Sequence, residues 1–133
     1  MTAEVAERRV FELPARPTAG SAARRALLAD GRALPGSVRD DVLLLLTELV
    51  SNAVRHADGG ASRALRVELR QWEQTVEVSV FDEGAGFTAG SPVAKPDGSG
   101  GWGLFLVDRI ADRWAITRAA SGTCAWFEIG CSR

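Results

Sequence analysis

Hydrophobic and polar positions recur with two different periods along this chain, and the switches between them mark its elements. Residues 8–13 (Arg-Arg-Val-Phe-Glu-Leu) predict a short strand suited to a sheet edge. Pro14 and Pro17 stop it, and a helix is expected over about 18–33, ended by the glycine-bearing turn at 31–36. Ser37 has the character of an N-cap, with Asp40 three positions on as a loose capping box. From 38 to about 57 the period is helical, with Val42, Leu46, Leu49, Val50, Ala53 and Ala57 on one side. Asp58-Gly59-Gly60 ends that helix. The period then drops to two: Leu65, Val67 and Leu69 alternate with Arg66, Glu68 and Arg70, and Val76, Val78 and Val80 alternate with Glu77 and Ser79. Trp72-Glu73-Gln74 is a tight connection, so the two strands predict a hairpin. A Gly, Ser and Pro-rich loop over 84–101, a helix over about 102–112, and strands near 114–118 and 123–130 complete the chain. This order predicts an α+β fold, a two-layer sandwich with helices on one face of a mixed, mostly antiparallel sheet.

Composition narrows the class. The 133 residues suit one domain spanning 1–133, with 46% hydrophobic and 25% charged positions. Sixteen basic residues against seventeen acidic ones leave a formal charge of −1, so a phosphate-neutralising nucleic-acid binder is disfavoured. The longest apolar run, 42–46, is far short of a membrane span, and the N-terminus lacks a signal-peptide profile. Two cysteines with neither a framework nor a CxxC spacing fit a reduced, cytoplasmic setting. The one lysine, Lys95, lies between Ala94 and Pro96, which excludes a Walker A loop. One histidine, His56, excludes a His-rich metal site, and no Gly-x-Ser-x-Gly elbow is present.

Three stretches carry candidate chemistry. Glu48, Asn52 and His56 lie four residues apart and share a helix face, with Arg55 close to it. A carboxylate and a carboxamide oxygen at that spacing suit a base and a hard-cation ligand, and equally an ordinary solvated face. Asp82 has the parity of Val76, Val78 and Val80, so it points inward at the end of its strand. A carboxylate there needs a partner, and either the exocyclic amine of a base or a turn backbone supplies one. Gly84 and Gly86, just after it, let another group approach the backbone closely. Gly98, Gly100 and Gly103 run into a helix start, an arrangement suited to phosphate or simply to a flexible cap. They also spell G-x-G-x-x-G, but Pro92 and Pro96 stand where a dinucleotide fold needs a strand.

Taken in order, these stretches resemble the N, G1 and G2 boxes of the Bergerat-fold (GHKL) ATP-binding superfamily. Glu48-x-x-x-Asn52 is similar to the N box, Asp82-x-Gly84-x-Gly86 to the G1 box and Gly101-x-Gly103-Leu104 to the G2 box. Gly122-Thr123 is similar to the Gly-Thr before the closing strand, with Thr123 sharing the parity of Ala125, Phe127 and Ile129. The short chain looks most like the small anti-sigma-factor serine/threonine kinases. That resemblance implies ATP and Mg²⁺ as cofactors, with Asp82 receiving the adenine amine and Thr123 bridging to it. It implies Asn52 as the Mg²⁺ ligand and Glu48 as the catalytic residue that orients or deprotonates the attacking hydroxyl. Arg55, Gly84, Gly86, Gly100, Gly101, Trp102, Gly103 and Leu104 would complete the nucleotide site. The implied partners are an anti-sigma-factor antagonist as phospho-acceptor and a sigma factor, with a homodimer through the N-terminal edge strand. No direct nucleic-acid or membrane partner is expected. The alternative is a nucleotide-regulated protein-binding module without kinase activity.

Overall fold

The computed structural model describes residues 7–29, 34–56, 64–72, 74–82, 104–119 and 122–130. Their order is β1 (Glu7–Pro14), α1 (Ala19–Ala29), α2 (Arg39–His56), β2 (Ala64–Gln71), β3 (Thr75–Asp82), α3 (Phe105–Ile110), β4 (Arg113–Ala119) and β5 (Gly122–Gly130). The strands form one sheet in the order β1-β2-β3-β5-β4. All four pairings are antiparallel, so the mixed character expected from the sequence is not found among the described residues.

The period-two pattern assigns the faces of this sheet. Leu65, Val67 and Leu69 of β2, Val76, Val78 and Val80 of β3, and Ala125, Phe127 and Ile129 of β5 are buried on the inner face, beneath the helices. From α2, Val42, Leu45, Leu46, Leu49 and Val50 supply the opposing layer. Helix α1 buries the small residues Ala19, Gly20 and Ala23 together with Leu27. A Cβ on Gly20 would stand 2.9 Å from Ser51 Oγ and 3.2 Å from Thr47 Cγ2, so glycine is what lets α1 lie this close to α2. The hairpin between β2 and β3 is closed by Trp72 N donating to Thr75 O at 2.9 Å.

Two local expectations need correction. The first intrahelical acceptor of α2 is Val38 O, bonded by Val42 N at 2.8 Å, so the helix begins one residue beyond the start that a Ser37 cap would set. Helix α3 is also shorter than the stretch 102–112: it ends at Ile110 because Ala111 turns extended (φ −71°, ψ 147°). Asp112 is drawn to β5 instead, its N–H donating to Glu128 O at 2.8 Å and its Oδ2 accepting from Gly130 N at 2.6 Å. Trp114 Nε1 donates to Asp108 Oδ1 at 2.9 Å and ties α3 to β4.

The outer face is polar and matched. Arg8 donates to Glu68 at 2.6 Å, Arg70 Nε donates to Glu77 at 2.9 Å, and Arg113 lies 3.5 Å from Glu128. Arg66 stacks on Phe81 and Arg113 on Trp126, with 4.4 and 5.8 Å to the ring centroids. Burial pushes the Cys124 thiol up to about 11. Burial also raises the Glu128 carboxyl, helped by the hydrogen bond and charge of Glu77. Among the described residues no helix is long and apolar enough to cross a membrane.

Candidate functional site

One end of the inner face is not filled by the core. Leu49, Asn52 and Ala53 of α2, Val80 and Asp82 of β3, Ile116 of β4, and Thr123 and Ala125 of β5 line a small cavity that opens to solvent. Helical spacing explains the first group, since positions i, i+3 and i+4 share one face. Strand alternation explains the rest, because Val80, Asp82, Thr123 and Ala125 all have inward parity. Asp82 and Thr123 are directly opposed across the β3–β5 ladder. Gly122, just before Thr123, has φ 138°, a backbone conformation that favours glycine and starts β5 at this rim.

The polar residues of the cavity are deeply buried: Asn52 is 1%, Asp82 4% and Thr123 8% exposed. Arg55 donates to Asn52 Oδ1 from three residues further along α2. Asn52 Nδ2 and Thr123 Oγ1 are buried with no hydrogen-bond partner among the described residues. A buried polar atom left this way costs about 1–3 kcal/mol, so two at one cavity mark a place where an outside polar group completes the structure. The chemistry of the set suits a purine: apolar walls from Leu49, Ala53, Val80, Ile116 and Ala125, with a carboxylate, a hydroxyl and a carboxamide at the polar edges.

Of the residues singled out from sequence, the fold brings Asn52, Asp82 and Thr123 together and places Arg55, which is exposed, beside them. Glu48 is half-buried one turn before Asn52 and is not among the described residues that line the cavity. Leu104 is buried in the hydrophobic core, where its carbonyl accepts from Asp108 N at 2.9 Å. Gly84, Gly86, Gly100, Gly101, Trp102 and Gly103 lie outside the described residues, as does the side chain of His56. Sequence reasoning missed Ile116 as a wall. Only the fold supplies its signal: Ile116 pairs with Ala125 in the β4–β5 ladder and so shares its face.

The sequence matches the histidine kinase-like ATPase domain family over residues 13–129. No curated protein matches it. Among solved structures it resembles the RsbU and RsbW domains of Rv1364c from Mycobacterium tuberculosis, at 23% identity and a TM-score of 0.64. The likeness covers 92% of this chain and 31% of that one, so the chain spans about a third of that protein's length. A match over most of the sequence, joined to a cavity whose polar edges suit an adenine nucleotide, has one conclusion: the chain belongs to the histidine kinase-like ATPase domain family, whose ligand is ATP.

Proposed function

We propose that this chain is an ATP-dependent serine/threonine protein kinase that acts on a small anti-sigma-factor-antagonist-type protein, with a sigma factor as a second partner. The observation that carries the nucleotide half of this reading is the buried trio Asn52, Asp82 and Thr123, in which Asn52 Nδ2 and Thr123 Oγ1 have no partner among the described residues. Asp82 accepts a hydrogen bond from the exocyclic amine of adenine, which guanine cannot supply because it presents a carbonyl there. Thr123 Oγ1 lies directly across the ladder and holds the same edge of the base. Asn52 offers its Oδ1 to Mg²⁺, a hard cation that takes oxygen ligands. ATP supplies the phosphoryl group, and Mg²⁺ offsets its charge. Glu48, one helical turn from Asn52, orients the attacking serine or threonine hydroxyl and takes its proton. The family match and the order of the motifs support the kinase reading.

A second reading is a nucleotide-regulated module that occludes its partner without phosphorylating it, in which Glu48, half-buried one turn from Asn52, carries no catalytic role. The test is transfer of labelled phosphate from ATP to the antagonist-like protein encoded nearest to it, with wild type and Glu48→Gln side by side. The kinase reading expects ATP to bind Glu48→Gln within a few-fold of wild type, while transfer falls on the order of a hundredfold or more. Transfer at the wild-type rate by Glu48→Gln removes Glu48 as the base. No transfer by the wild type makes the binding-module reading the correct one.

A further inference from the structure

Arg55 lies beside the cavity, one turn along α2 from Asn52. Arg8, Arg70 and Arg113 on the outer face each hold a carboxylate, whereas Arg55 makes no ion pair among the described residues. Its guanidinium donates instead to a neutral acceptor, the Oδ1 of Asn52, a side chain 1% exposed at the cavity. That oxygen is the atom an incoming cation would need. An amide oxygen has two lone pairs, but two cations cannot crowd against it without strong repulsion. The Arg55 side chain is itself exposed, so swinging away into solvent disturbs no packing.

We propose that Arg55 is a stand-in cation that occupies Asn52 Oδ1 in the nucleotide-free protein and competes with Mg²⁺ for it. The inference rests on the nucleotide reading of the same site and assigns it a regulation: the Mg²⁺ concentration needed for nucleotide binding is set by an arginine that must first let go. Linkage makes the effect reciprocal, so Mg²⁺ binding releases Arg55 and Arg55 weakens Mg²⁺. When Mg²⁺ is scarce, the same guanidinium supplies the positive charge beside the phosphates.

The test is calorimetry of ADP binding across a MgCl₂ titration, and in EDTA, for wild type, Arg55→Ala and Arg55→Lys, with adenosine as a ligand lacking phosphates. In Arg55→Ala the Mg²⁺ concentration for half-maximal ADP affinity should fall several-fold, while ADP affinity in EDTA falls. Adenosine affinity should not change. Arg55→Lys should lie between, because a single ammonium keeps the charge without the planar fork. A Mg²⁺ midpoint that stays put or rises in Arg55→Ala, with ADP still bound, overturns the competition and leaves the nucleotide site standing. Adenosine and ADP weakened in equal proportion would make Arg55 merely structural and also overturn it. A wild type that binds neither ADP nor adenosine overturns the nucleotide reading and this role with it.

Discussion

The two faces of the sheet treat buried polar groups in opposite ways. On the outer face Glu77 is buried to 9% exposure, and Arg70 from the neighbouring strand holds it. Flanking pairs, Arg8 with Glu68 and Arg113 with Glu128, extend the same matching across the strands. On the inner face, within one cavity, Asn52 Nδ2 and Thr123 Oγ1 are at least as deeply buried and have no partner among the described residues. Gln71 Oε1 is also without a partner among the described residues, but it sits at the opposite end of β2 and outside that cavity. Desolvation penalises both faces alike, so the difference lies in what completes them. The outer face is completed by its own chain. The cavity's two atoms are not completed by any described residue, which is what the proposed nucleotide site requires.

Substitutions can break this contrast at either face. The largest effect is expected at Asp82: Asp82→Asn should lower ATP affinity on the order of a hundredfold, because the carboxylate that reads the amine becomes an amide that can also donate. GTP binding, measured by the same calorimetry, should weaken less. Next comes the outer face, where Glu77→Ala should lower stability to urea by about 1–2 kcal/mol, below the full scale of a hydrogen bond to a charged group because Arg70 is partly exposed, and leave ATP affinity within about twofold. Thr123→Val sharpens the contrast from the other side. Deleting an unpartnered buried hydroxyl should raise nucleotide-free stability by up to about 1 kcal/mol while weakening adenine nucleotides.

The smallest effect is at Glu128. Its carboxyl titrates above the usual range in the folded state, first through burial and then through Glu77, so the folded protein holds that proton more tightly than the unfolded chain. Stability is therefore lost as pH rises from the ordinary carboxylate pKa through the raised one. Glu128→Gln should melt slightly higher than wild type at pH 7, by less than about 0.5 kcal/mol. The gap should close below about pH 4, and thermal melts across that range check it.

Much of the cavity was legible because it depends on local periods. Alternation put Asp82 and Thr123 on the inner face, while helical spacing put Asn52 only on a polar face with Glu48, and the fold is what buries it at the cavity. What the sequence did not reveal depends on pairings between distant segments. Nothing local says that β3 pairs with β5 while β4 takes the edge, and that crossover is what opposes Asp82 to Thr123 and adds Ile116 as a wall. Helix α3 stops early for the same kind of reason, since Asp112 finds its partner in Gly130, eighteen positions on. Arg9 was expected on an edge strand with no special role, yet it is buried to 4% on the inner face and bonded to Glu7. The helical spacing of Asn52 and Arg55 did suggest neighbours, but only the fold shows that the arginine takes the amide oxygen.

The central claim is that the cavity of Asn52, Asp82 and Thr123 reads an adenine nucleotide, and a calorimetric titration of the wild-type protein with ATP and then GTP at saturating Mg²⁺ tests it most directly. The account predicts one site that binds ATP and discriminates against GTP by at least about tenfold, the scale of one buried hydrogen-bonding mismatch. No heat with ATP, or equal affinities for the two nucleotides, would contradict it.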